Sequence, residues 1–284
     1  MTALYLRRLA SLAIAIVCAF LAWTETHLAA EDQPNKEPSS LRELIDAALD
    51  DVQIFADAET TVAARPRVVM RWANNARGSE DGATVLYIHE GRPLAVACFY
   101  PWDGQLPRDF SVLARVPIVA RYGGAVVWHP QRTEVELAGI PAAPPPESNK
   151  PQRLRQMKSL AEQFGSTMLG WRADDSDREE LRLLPRPLYR YETTGGEVID
   201  GAVFAFVMGA DPESLLLIEA TKQGDAAKWQ YAFVRRTSGE LEGRHRGQTV
   251  WHADRFPAMR DAQGPNFSVV SPIPPELLPA KEAQ

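Results

Sequence analysis

The sequence predicts an α+β fold of two similar halves, each a helix followed by an antiparallel meander of about five strands, an arrangement compatible with a pseudo-two-fold axis. Three observations predict it. First, residues 66–93 recur 119 positions later with 7 of 28 identities: Pro66, Arg67, Arg71, Asp81, Gly82, Ala83 and Pro93 match Pro185, Arg186, Arg190, Asp200, Gly201, Ala202 and Pro212. Average composition would give about two. Second, Gly124, Val127, Trp128 and His129 match Gly247, Val250, Trp251 and His252 at an offset of 123. Third, each half opens on apolar residues at helical spacing and continues in short β-branched runs separated by glycine-containing turns.

The elements follow in chain order. Residues 1–30 have the layout of a secretory signal peptide: Arg7 and Arg8, an apolar run from Leu9 to Trp23, and a cleavage site near Ala30. The run is shorter than the roughly 20 residues of a spanning helix. The expected destination is therefore periplasmic or extracellular, with no stable membrane insertion once the leader is removed. Residues 31–40 read as a flexible lead-in. The first module spans 41–140. Leu41, Leu44, Ile45, Ala48, Leu49 and Val52 predict a helix over 41–57, and strands follow over 67–72, 84–89, 94–100, 111–120 and 125–129. Glu90-Gly91-Arg92 and Tyr122-Gly123-Gly124 are the hairpin connections. Residues 141–151, PAAPPPESNKP, read as an extended linker.

The second module spans 152–256. Leu154, Met157, Leu160, Ala161 and Phe164 mark its helix, and strands are predicted over 188–191, 202–207, 214–220, 229–236 and 247–252. Residues 257–284 read as a loose tail. Within this half, LRLLPRPLYRYE (181–192), DGAVFAFVMGADPESLLLIEA (200–220) and RLRQMKSLAEQF (153–164) resemble an uncharacterised family of secreted planctomycete proteins of unknown function. The resemblance implies export and carries no activity, cofactor or site residue.

Charge and cysteine content narrow the function classes. Removing Arg7, Arg8 and Glu25 with the leader leaves 29 basic and 36 acidic residues, a net charge of −7. Nucleic acid is not an expected partner, because phosphate binding needs a basic surface. Cys98 alone remains in the mature chain, so no internal disulfide forms and stability rests on an apolar core.

The candidate site residues are the repeated ones. Trp128-His129 and Trp251-His252 end equivalent strands, and two imidazoles could face each other across the halves. Two histidines are an incomplete zinc site. The structural reading, an indole closing each core with the histidine at the exposed end, is favoured. Asp81 and Asp200 could act as paired carboxylates, but Asp-Gly reads more readily as a turn. Arg71 and Arg190 are placed to bridge those aspartates. His89 and Cys98 invite a Cys-His pair; Met208 and Leu217 at the matching positions point to packing instead. The run Asp174-Asp175-Ser176-Asp177 lacks the spacing of a calcium loop. No G-x-S-x-G, H-E-x-x-H, P-loop or G-x-G-x-x-G occurs.

The expected function is thus a non-enzymatic exported protein that binds a small molecule or an envelope protein, with no cofactor and no metal. The alternative is a hydrolase of unrecognised type, its site at the interface of the halves from Asp81, His129, Asp200 and His252.

Overall fold

The computed structural model describes residues 38–74, 79–169, 178–193, 197–224, 226–255 and 261–278. The leader and the acidic run 174–177 lie outside the described residues. Leu41, Leu44 and Ile45 pack one side of a short helix, α1 (Leu41–Ala47), whose Ser40 side chain caps it by accepting from the Glu43 amide at 3.2 Å. The predicted helix is longer than the real one. Its apolar pattern passes into strand β1 (Val52–Phe55), where Val52 and Ile54 are buried and Gln53 is exposed. An alternating pair so near a helical stripe fits both periods, and pairing with a neighbouring strand decides.

That neighbour is β6 (Val119–Tyr122), which also pairs β7 (Ala125–Trp128), so a three-stranded sheet forms in the order β1-β6-β7. Between β1 and β6 the chain lays down β2 (Arg65–Asn74), β3 (Ser79–His89), β4 (Arg92–Phe99) and β5 (Gln105–Val112) as an antiparallel meander. The β3–β4 turn is the two-residue Glu90-Gly91, with φ of 48° and 84°, the left-handed pair of a tight hairpin. The single strand predicted over 111–120 is in fact the end of β5 and the start of β6. Pro117 lies between them and donates no ladder hydrogen bond.

A two-residue strand, β8 (Ala138–Gly139), precedes the second helix, α2 (Lys150–Ala161). Asn149, inside the predicted linker, caps α2 by accepting from the Gln152 amide at 2.9 Å. Then come β9 (Phe164–Leu169), β10 (Arg178–Leu183), β11 (Tyr189–Tyr191), β12 (Val198–Met208), β13 (Asp211–Gln223), β14 (Ala226–Arg235), β15 (Glu240–His245) and β16 (Gln248–Ala253). All belong to one nine-stranded sheet, ordered β16-β15-β9-β10-β12-β13-β14-β8 with β11 also on β12. The predicted loose tail supplies β17 (Asn266–Pro272), which pairs β5 at the edge of the first meander.

The expected α+β pair of helix-plus-meander halves does not form. The protein is mostly β, with seventeen strands in three sheets and two α-helices among the described residues. The reason lies in where strands pair. β8 ends the first half yet adds to β14, and β17 follows the second half yet adds to β5. In the second half, β10 links the β9–β15–β16 ladder to the meander, so a nine-stranded sheet forms where a meander of about five strands was expected.

Three apolar clusters hold the layers together. The first fills the space between α1, the three-stranded sheet and the meander, with Ile45, Ile54, Tyr87, Phe110 and Trp128. The second lies under α2 and against β9 and β15, with Met157, Met168, Phe204, Phe206, Leu216, Phe233 and Leu241. The third joins the five-stranded and nine-stranded sheets through Leu86, Val96, Val203, Ala205, Leu215 and Val234. Successive residues of β12 enter the second and third clusters in turn, so this strand is buried on both faces. Each fully buried Leu or Phe side chain in these clusters is worth about 1.5–3 kcal/mol. No helix among the described residues is long and apolar enough to cross a membrane.

Candidate functional site

A concavity of about 620 Å³ lies where β16, the segment after β7 and the segment leading into β17 meet. Its aromatic wall is set by a glycine. Gly243 in β15 stands opposite Trp251 in β16, and a Cβ there would sit 2.7 Å from the Phe233 ring. The bare backbone admits Phe233, which stacks with Trp251 at 5.3 Å and 13°. Trp251 stays half-buried and lines the cleft.

The opposite wall comes from two segments zipped together by backbone hydrogen bonds. The His129 amide donates to the Ala262 carbonyl at 2.8 Å, and the Gln131 amide to the Gln263 carbonyl at 2.9 Å. Asn266 is the joint: it donates to Glu134 at 3.2 Å and accepts from Ser111 on β5 at 2.7 Å. Buried Arg235 lines the cleft and donates to the carbonyls of Gly239 at 3.1 Å and Asp254 at 2.6 Å. Burial pulls its pKa below the ordinary arginine value, against the opposing pull of Glu134 and Asp254. At the rim, Nε2 of His252 lies 3.1 Å from a Glu240 oxygen and Nδ1 lies 3.5 Å from an Asp254 oxygen. The cleft is thus walled by Trp251 and Phe233 on one side and by side chains of both charges on the other.

The sequence-predicted residues scatter. Trp251 and His252 line this cleft. Trp128 is fully buried, donates to the Gly264 carbonyl at 2.8 Å and stacks on Phe267 at 6.1 Å. His129 is exposed and is not part of the cleft lining. Asp81 is half-buried within β3, and Asp200 is buried within β12; neither is a turn residue. Asp200 instead accepts from Arg153 of α2 at 2.8 Å and from Arg190 at 2.8 and 2.6 Å. The hydrogen bonds that Arg190 donates to Asp200 raise the arginine's pKa. This pair borders a smaller hollow of about 330 Å³ with Tyr189, Tyr191 and Lys150. The matching Arg71 does not bridge Asp81; it pairs with Asp46 on α1. Cys98 is buried, and burial pushes its thiol pKa up. Among the described residues no group of three or more His, Cys, Asp or Glu is placed to hold a metal ion.

The repeated Asp-Gly-Ala has a structural account. Gly82 faces Trp72 across β2–β3, and Gly201 faces Tyr191 across β11–β12. A Cβ at either would lie 2.6–2.7 Å from the ring. The glycine is kept so that an aromatic ring can lie over the backbone. Sequence reasoning missed Arg235, Glu134 and Asn266 as cleft residues. The one available signal was Arg235-Arg236, two guanidinium groups directly after the apolar run Ala232-Phe233-Val234.

Fold and cleft together define a mostly antiparallel β protein with a charged, aromatic-walled surface cleft. No family model, no curated protein and no solved structure matches the chain.

Proposed function

We propose that the chain is a non-enzymatic exported binding protein of the cell envelope whose ligand occupies the cleft beside Trp251. The observation that supports this reading is the prior fixing of the cleft's groups. Phe233 sets the plane of Trp251, Asn266 holds Glu134, and two carbonyls hold Arg235. Groups held in place before a ligand arrives lose little freedom when it binds. The volume falls in the range of small-molecule sites, about 300–1,000 Å³. Export rests on the leader pattern of residues 1–30, and the resemblance of residues 153–220 to secreted planctomycete proteins accords with it. A net charge of −7 favours a small molecule or an envelope partner over nucleic acid.

Native mass spectrometry of protein recovered undenatured from its own envelope tests the reading. A cleaved chain carrying an added mass is expected, and Trp251→Ala should remove that mass. An uncleaved or bare chain, or an adduct indifferent to Trp251→Ala, contradicts it. A hydrolase is the second reading, favoured by one observation: the His252 ring at the cleft rim is hydrogen-bonded to Glu240 and has an Asp254 oxygen 3.5 Å from its other nitrogen. Turnover of any ester, amide or glycoside that disappears in His252→Ala would replace the first reading with the second.

A further inference from the structure

The cleft's mixture of charges bears on what it holds. Resting on the ligand-binding reading, we propose that the ligand is a neutral saccharide, seated with the C–H face of one ring against Trp251. Glu134, Glu136, Asp254 and Asp261 line the cleft together with Arg132 and Arg235. Carboxylates only accept hydrogen bonds and guanidinium groups only donate them. An organic cation would be drawn to the first set and repelled by the second; an anion would meet the reverse. A sugar hydroxyl both donates and accepts, so vicinal hydroxyls use both sets at once without burying an unpaired charge.

The aromatic wall completes the match. The Trp251 indole is stacked on Phe233, and this half-buried side chain lines the cleft. An apolar plate beside dense hydrogen-bonding groups suits a molecule with an apolar face and a polar perimeter. Arg132, Glu136, His252, Asp254 and Asp261 are exposed, so the cleft opens to solvent along its rim and leaves room for a chain longer than one sugar.

The test is a titration of the purified 15N-labelled protein, following indole N–H resonances and saturation transfer. The probes are neutral tetrasaccharides built from glucose, galactose, mannose, xylose and N-acetylglucosamine, with tetramethylammonium and inorganic phosphate as controls. At least one tetrasaccharide should shift the Trp251 indole with a Kd below about 1 mM, while both controls leave it unmoved. Trp251→Ala should weaken that binding by about tenfold or more. Because Trp251 also packs on Phe233, Arg132→Ala, a change at an exposed rim position, is the companion variant and should weaken it too. If tetramethylammonium or phosphate shifts the cleft resonances and no sugar does, the saccharide inference is overturned and the binding reading stands. If no probe shifts them, both fall.

Discussion

At the residue scale, glycines facing aromatic rings recur at three places in two sheets. Gly201 is the most constrained of them. Tyr191 lies over it, is nearly fully buried, and is tethered by its hydroxyl donating to Glu219 at 2.6 Å, so the ring cannot swing away from an added methyl group. Gly201→Ala should cost about 1–3 kcal/mol through overpacking. Gly139 is the control. It is exposed on β8 with no atom within 4 Å of a would-be Cβ, and Gly139→Ala should stay within about 0.5 kcal/mol. Urea denaturation of both variants measures the difference, and equal midpoints would show that the aromatic contact is not what keeps the glycine. The repeat made Gly82 and Gly201 visible in the sequence. Their reason was not visible, because the ring that needs the space is ten residues away on another strand.

At the element scale, hairpins were legible and long-range pairings were not. Glu90-Gly91 and Gly209-Ala210 mark their turns locally, and the strands beside them lie close to where alternation places them. Val52–Phe55 was absorbed into the helix because its apolar residues continue the helical stripe. Asn266–Pro272 reads as tail because the prolines on either side of it outweigh a short apolar run. The cleft suffered for the same reason: Trp251-His252 stood out as a repeated pair, whereas Glu134, Arg235 and Asn266 come from three separate segments. The status of β17 can be checked directly. Ending the chain at residue 260 removes the carbonyl that accepts from Trp128, the Phe267 ring stacked on it, and the Asn266 amide that accepts from Ser111. It also bares the β5 edge. The shortened chain should unfold at least about 10 °C lower and self-associate, as followed by calorimetry and light scattering. An unchanged melting temperature would mean that β17 is only an accessory strand.

At the scale of the whole molecule, buried and half-buried tyrosines tie stability to alkaline pH. Tyr87 donates to the Leu49 carbonyl at 3.0 Å, Tyr100 to Asp109 at 2.6 Å and Tyr191 to Glu219. Burial pushes all three hydroxyls above their ordinary pKa, and the nearby carboxylates push Tyr100 and Tyr191 further. Below pH about 10 these groups are protonated in both folded and unfolded chains. Above it the unfolded chain ionises while the folded one holds its protons, so stability falls as pH rises from about 10 towards the folded values. Equilibrium unfolding between pH 8 and 12 should show that decline. Tyr100→Phe should flatten part of it, and an unchanged slope in the variant would remove Tyr100 from the account.

The crossing of β8 and β17 has a consequence in time. β5 receives its outer neighbour from the last described strand, and the Ser111–Asn266 hydrogen bond spans 155 residues of chain. Contacts of such separation form late, because a long loop must close before they contribute. During synthesis the five-stranded sheet must wait with one edge unpaired until residues 266–272 have been made. Until residues 266–272 emerge, the nascent chain carries an open strand edge that its own later residues then cover.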